Sequence, residues 1–294
     1  MTNQKIRPLM DVITNKLDEF TPKGRILGKY ILSQPRKVVF MTIKELAEAC
    51  EVSKATVVRF VTGIGYGRYS EFQQALRDFV DTDLTLLDRL DISDMKAPSA
   101  IRFRRTISDE IDNLRQLYNY LDIGKMAAIV EVLNRQVPIH VIGSRLSYTL
   151  AYYMGWAMTK VRGSIRIMKG SDRTTIDWLT IAPADSVAVI IATSRYPNEL
   201  IRLGKLVKHL GQTLVVIADG ASCPVLQFSD FQLIAPSRNI PYLGSPTPLS
   251  CLINYLIHEL ASRQGGTLKV HQEKLERSYW ENDVLFNLKD KPYE

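Results

Sequence analysis

The sequence predicts an all-helical N-terminal unit followed by an α/β domain whose parallel sheet carries helices on both faces, and three observations predict it. Apolar residues recur at helical spacing from residue 6 to about residue 90, with no alternating run between them. After Pro138 the period changes to short β-branched runs separated by helical segments, the pattern of strands buried on both faces. Charge is also uneven: residues 1–80 hold 13 Lys and Arg against 8 Asp and Glu, and the other 214 hold 25 against 23. At 294 residues the chain also exceeds the usual size of one domain.

The helical elements follow in order. Ile6, Leu9, Val12, Ile13 and Leu17 share one face of a first helix. Thr21 followed by Pro22 reads as an N-cap with proline at the first helical position, and Ile26, Leu27, Tyr30, Ile31 and Leu32 follow before Pro35 ends that helix. In "MTIKELAEACEVSKATVVRF", Thr42 and Glu45 form a capping box for a helix carrying Ile43, Leu46, Ala47 and Cys50. Ser53 caps the next helix, which carries Val57 and Phe60 on one face, and only a short turn joins the two.

Ala47 is small where two steeply crossing helices approach, and Leu46, Val52, Val57 and Phe60 supply the core between them. This is the pattern of a helix-turn-helix, whose second helix enters the major groove with its N-terminal residues at the base edges. Lys54, Thr56, Val58 and Arg59 fall away from the core. Arg grips guanine through two N–H groups, Thr or Lys reaches a base or a phosphate, and the amide of Ser53 suits a phosphate. At Glu51 the turn favours a positive φ and hence glycine, so the turn is expected to carry strain or to take a variant geometry.

A polar stretch, "DTDLTLLDRLDISDMKAPSA", leads into a helical segment with Ile101, Ile107, Ile111, Leu114 and Leu117, read as a connecting helix. Strands are expected at "IHVIG", "SIRIM", "SVAVIIA", "TLVVIA" and "FQLIA", with helices such as "LAYYMGWAMTKV" and "ELIRLGKLVKHLG" between several of them. In "YYMGWAM" the aromatic and Met residues at helical spacing read as core or dimer interface. The resulting division is 1–80 for the DNA-binding unit, 81–120 for the linker, 121–266 for the α/β domain and 267–294 for a helical tail anchored at Trp280. Ligands of such sheets sit where the loops after the strands converge, which directs attention to "GSRLS" and "TSRYPNE".

Other classes find little support. Cys50, Cys223 and Cys251 are scattered and lack a CxxC pair, so all three are expected to be reduced and buried. His140, His209, His258 and His271 show no metal-ligand spacing, so no metal and no cofactor is expected. No apolar run approaches the roughly 18 to 20 residues of a membrane helix and no signal peptide is evident, so a cytoplasmic protein without a membrane partner is expected.

The stretch "MTIKELAEACEVSKATVVRFVTGIGYGRYSEFQQAL" resembles the N-terminal domain of the RpiR family of bacterial transcription regulators, which join it to a sugar-isomerase (SIS) domain that binds phosphosugars. The resemblance extends over residues 5–265. It implies DNA contacts at Thr42, Ser53, Lys54, Thr56 and Arg59, with Val57, Phe60, Tyr66, Tyr69 and Phe72 as packing. Arg68 is a phosphate contact or a solvated loop residue. Gly143, Ser144, Arg145 and Ser147 resemble the first SIS ligand loop, usually GxGxS, with Arg145 in place of the second glycine. The second loop, commonly SxSGxTxE, keeps Thr193, Ser194 and Glu199 but has Arg195 and Tyr196, followed by Pro197 and Asn198. Ser222 resembles the Ser after the fourth strand of the family, and Asp230 matches an Asp that reads as structural.

The resemblance implies a homodimeric or tetrameric regulator that binds a double-stranded DNA operator and responds to a small metabolite. Either the two arginines replace lost phosphate-holding hydroxyls and the effector is anionic, or the effector is not phosphorylated, or the pocket has lost ligand binding. The alternative is an aldose-ketose sugar phosphate isomerase, whose general base would come from Glu199, His258 or Glu259. A third reading keeps the metabolite domain and makes the helical unit a protein-interaction module.

Overall fold

The computed structural model describes residues 9–39, 41–80, 98–236, 239–240 and 243–285, and the chain forms two compact units, Met1–Ile92 and Ser93–Glu294. Ile6, the stretch 81–97 and the tail end 286–294 lie outside the described residues.

The first unit contains α1 (Leu9–Lys16), α2 (Pro22–Ser33), α3 (Pro35–Val38), α4 (Ile43–Ala49), α5 (Lys54–Gly63) and α6 (Tyr69–Val80). Thr21 caps α2 by accepting from the Gly24 amide at 3.3 Å. Pro35 ends that helix as expected and also begins the short α3, because its fixed φ suits a first helical position. Ile13, Leu27, Ile31, Leu46, Val57, Phe60, Phe72 and Leu76 form the core. Helices α2 and α5 come close at Gly28, where an added methyl would sit 3.2 Å from the Phe60 ring. Gln73 and the Tyr69 hydroxyl both donate to the Met41 carbonyl, at 2.9 Å, tying α6 to the segment before α4.

The turn between α4 and α5 settles the question raised at Glu51. Its φ is 52°, the Glu51 amide donates to the Glu48 carbonyl at 3.2 Å and the Val52 amide to the Ala47 carbonyl at 2.9 Å. Those two bonds make a Schellman ending, whose left-handed position glycine ordinarily fills. Glycine does fill it at the end of α5, where Gly65 has φ 104° and Tyr66 donates to Val61 at 3.1 Å. Glu51→Gly is therefore expected to stabilise the N-terminal unit by about 1 kcal/mol, read as a rise in its urea midpoint, because the left-handed cost of a side chain is removed.

The second unit contains α7 (Ser99–Tyr120), α8 (Ile123–Asn134), β1 (Ile139–Gly143), α9 (Leu146–Met158), β2 (Ile165–Lys169), α10 (Arg173–Ile181), β3 (Val187–Ala192), α11 (Asn198–His209), β4 (Thr213–Ala218), β5 (Phe231–Ile234), α12 (Thr247–Gln264) and α13 (Gly266–Glu281). The five strands run parallel in the order β2-β1-β3-β4-β5. Alternation along each strand sends its side chains to opposite faces. Ile139, Val141, Val187, Val189, Ile191, Val215 and Ile217 pack with α8, α9 and α12, while Ile142, Ala188, Ile190, Leu214 and Val216 pack with α10 and α11. The connecting helix α7 belongs to this unit, where Leu117 enters the core and Glu110 accepts from the Ser245 hydroxyl.

Arg162, after α9, is 5% exposed. Its guanidinium donates to the carbonyls of Leu133 at 2.6 Å, Val137 at 2.8 Å and Gly163 at 3.2 Å, and also to Arg135. It thereby closes the C-terminus of α8 and the turn into β1, a place where carbonyls lack intrahelical partners. Asp230 accepts from the Leu214 amide at 2.9 Å and pairs with Lys208, the structural role expected of it. Of the cysteines, Cys50 and Cys223 are buried but Cys251 is exposed, correcting the expectation of three buried thiols; it sits on the outer face of α12, whose Leu252, Ile253 and Leu256 take the core side.

Candidate DNA-reading helix and effector loops

Two caps place the candidate reading helix. Thr42 accepts from the Glu45 amide at 3.3 Å while Glu45 accepts from the Thr42 amide at 2.6 Å, completing the capping box of α4. Ser53 accepts from the Thr56 amide at 3.1 Å and starts α5. Val57, Phe60 and Val61 go to the core, and Lys54, Ala55, Val58, Arg59 and Thr62 are exposed.

The exposed face is thus a band with a cation at each side of Ala55 and Val58, the latter 48% exposed. Such a band offers donors to guanine or phosphate and an apolar contact to a thymine methyl. Thr56 differs from the expectation: it is half-buried and its hydroxyl meets that of Ser53 at 2.9 Å, which makes it part of the cap. Arg68 is exposed at the start of α6, where its carbonyl accepts from Glu71 at 3.2 Å and Phe72 at 3.3 Å. Tyr66 meets the Phe72 ring edge-on, with centroids 6.1 Å apart, and Tyr69 meets it at a tilt, 5.8 Å apart.

The candidate effector loops sit at the carboxyl ends of β1 to β4. Gly143 ends β1 where an added methyl would lie 2.3 Å from the Ser147 carbonyl oxygen, so α9 can approach the strand only over glycine. The Ser144 amide donates to the Ser147 hydroxyl at 3.0 Å, and that hydroxyl donates to the Ser144 carbonyl at 2.9 Å. Arg145 follows with φ 53° and ψ −124°, a conformation natural to glycine. Arg195, on the loop after β3, has φ 65°. Both arginine side chains are exposed. The two places where the SIS pattern has glycine thus keep a left-handed backbone while carrying a cation.

Two carboxylates tie these loops together. Glu199, in the first turn of α11, accepts from the Ser144 hydroxyl and from the Ser171 amide at 3.1 Å. The Ser144 bond, then the Ser171 amide, hold its pKa below the ordinary carboxylate value against the opposing effect of burial. Its Oε2 would lie 2.6 Å from a methyl on Gly170, whose φ is 57°. Asp219, after β4, accepts from the Ser194 amide at 2.6 Å, the Ser194 hydroxyl at 2.8 Å and the Tyr196 hydroxyl at 3.0 Å. Burial, then the Asp219 charge, raise the Tyr196 pKa far above its usual value, so the phenol stays protonated. Thr193 is half-buried in the same loop, and the Ser222 hydroxyl is buried close to Tyr196.

Sequence reasoning named Ser144, Ser194, Tyr196 and Glu199 but missed Asp219, Ser171 and Lys169. Lys169, at the end of β2, lies 5.6 Å from the Tyr148 ring centroid on α9. The signal was present in "IADG", where an acid directly follows a buried strand, and in "KGSD" after β2. Of the candidate bases, Glu199 is held by two serines, while His258 and Glu259 lie on α12, whose core residues pack on the opposite face of the sheet from α11. Among the described residues no cluster of His, Cys, Asp and Glu could hold a metal ion, and no helix is long and apolar enough to cross a membrane.

Two family models match the chain: a helix-turn-helix domain of the rpiR family over residues 8–82 and a SIS domain over residues 133–255. A Thermotoga maritima HTH-type transcriptional regulator is 24% identical over 236 residues, covering 78% of this chain and 82% of that protein. The HTH-type transcriptional regulator HexR of Pseudomonas aeruginosa is 22% identical over 232 residues, covering 79% and 80%. Among solved structures, the Vibrio vulnificus NanR protein complexed with ManNAc-6P shares the fold with a TM-score of 0.56 at 20% identity, over 95% of this chain and 100% of that one.

Proposed function

The chain belongs to the RpiR family of transcription regulators, joining a helix-turn-helix to a SIS domain, and from that premise we propose that α5 reads operator DNA as one head of a homodimer while the loops after β1 to β4 sense a small, anionic, sugar-phosphate-like metabolite. A dimer suits a single helix-turn-helix, which reads too few base pairs alone and gains specificity by pairing half-sites. DNA contacts are assigned to Thr42, Ser53, Lys54, Arg59 and Arg68, with Thr56 acting through the cap. The effector is assigned to Gly143, Ser144, Arg145, Ser147, Thr193, Ser194, Arg195, Tyr196, Glu199 and Ser222.

The observation that carries the effector reading is the pair Arg145 and Arg195. Each holds a left-handed backbone conformation that disfavours any side chain, and such strain persists where function retains it. Their guanidinium groups supply the planar donors that the missing loop hydroxyls of the SIS pattern would otherwise give a phosphate. The ligand named for the NanR neighbour is of the same chemical class.

The test is fluorescence anisotropy of DNA from upstream of the protein's own gene, titrated with phosphosugars that include ManNAc-6P. One member is expected to change the affinity by roughly 5- to 150-fold, the usual span of allosteric coupling. Arg145→Gly is expected to abolish that response and leave basal DNA binding intact, while raising the stability of the C-terminal unit by about 1 kcal/mol through release of its φ. Indifference to every phosphosugar, with DNA binding intact, would overturn the anionic effector.

A further inference from the structure

At the opposite end of the sheet from the effector loops, a cavity of about 350 Å³ opens between α10 and the first residues of β1 and β2. Its walls include His140, Ile165, Arg166, Trp178, Ile181 and Pro183. His140 and Arg166 are register partners on neighbouring parallel strands, so their side chains emerge side by side on the α10 face.

One of these groups is buried without a partner. His140 is 3% exposed, and neither ring nitrogen has a hydrogen-bond partner. Buried polar atoms are almost always paired, so an exception on a cavity wall marks a place for a ligand atom. The Ser186 hydroxyl and the Gln212 carbonyl oxygen, at the same ends of β3 and β4, are also buried without a partner. The Arg166 guanidinium lies 3.3 Å from the Trp178 ring centroid, and no acid pairs with it among the described residues. Stacking uses the face of a guanidinium and leaves its edge N–H groups free to donate in the plane.

We propose that this cavity binds a small organic carboxylate, whose oxygens accept from Arg166 and from a ring N–H of His140 and whose apolar body lies against Trp178, Ile181 and Pro183. A cation is excluded by Arg166, and a wholly apolar guest leaves the buried His140 donor unpaired. Burial, then the charge of Arg166, push the His140 pKa down to about 4, so near neutral pH the ring is uncharged and offers one N–H and one acceptor. An anion between the two side chains removes that mutual penalty. The site is independent of the effector loops and shares no residue with them.

The experiment is calorimetric titration of the full chain with benzoate and, as the uncharged isostere, benzamide. Benzoate is expected to saturate one site per chain in the low millimolar range, with benzamide at least roughly tenfold weaker. The His140 ring resonances, identified by their loss in His140→Gln, are expected to shift with benzoate. Arg166→Gln, at an exposed position that the fold tolerates, is expected to weaken benzoate at least roughly tenfold without changing DNA binding. Absence of benzoate binding, equal binding of benzamide, or affinity unchanged in Arg166→Gln overturns the proposal. A change of oligomeric state in Arg166→Gln with no loss of benzoate binding also overturns it and assigns the face to a protein contact.

Discussion

Arg162→Met is expected to lower the unfolding free energy of the C-terminal unit by about 3 kcal/mol, measured as the fall in its urea midpoint at constant m-value. The side chain is buried, burial lowers its pKa, and its partners are three backbone carbonyls between the end of α8 and β1 together with that of the adjacent Gly163. Met fills comparable volume, so little of the loss comes from packing. What remains is a set of carbonyls stripped of a cation, and removal of one partner of a buried charged group costs far more than the intact pair contributes. Arg162→Lys keeps the charge but reaches fewer carbonyls from a single ammonium, so a loss between wild type and Met is expected. Equal midpoints for all three proteins would mean that the guanidinium is structurally idle.

Arg59→Ala is expected to weaken binding of DNA from upstream of the protein's own gene by roughly 1–3 kcal/mol, and by much less on scrambled DNA, if it contacts a base edge. Its exposed position beside Val58 places it at one side of the reading band, across Ala55 and Val58 from Lys54, and it carries no packing role that truncation would disturb. Lys54→Ala supplies the contrast. At the first helical position it is set for a phosphate, so a uniform loss on both DNAs and a shallower salt dependence are expected. Anisotropy across a salt series separates the two outcomes. Loss of equal size on both DNAs for Arg59→Ala would move it to the phosphate class.

The fold was legible wherever local chemistry decides the structure. Thr42 with Glu45, Thr21 with Pro22, and Ser53 announced helix starts that all formed, because a cap is a contact between residues three apart. At Glu51 the turn position raised either strain or a variant geometry, and the chain takes the strained positive φ. The strands were legible because parallel strands covered on both faces need continuous apolar runs. The candidate site was legible only in part. Ser144 and Glu199 are 55 residues apart in sequence, and Ser194 and Asp219 are 25 apart; pairing across loops leaves no local spacing to read. His140 sits inside an apolar strand, where sequence pattern alone makes it look like one more core residue.

Glu199 draws together three segments, since it begins α11 and grips the loops after β1 and β2. Asp219 does the same for the loop after β3 from the end of β4. On the proposed reading, an arriving anion would not enter an empty cradle but would compete with two resident anions for the same serines. Binding would then be an exchange reaction, in which expelling a carboxylate frees several loops at once. Sensitivity to the metabolite would then be set as much by how firmly Ser144 and Ser194 keep their own acids as by what the ligand gains, so weakening the hold of Asp219 on Ser194 would lower the threshold of response without altering a residue assigned to the ligand.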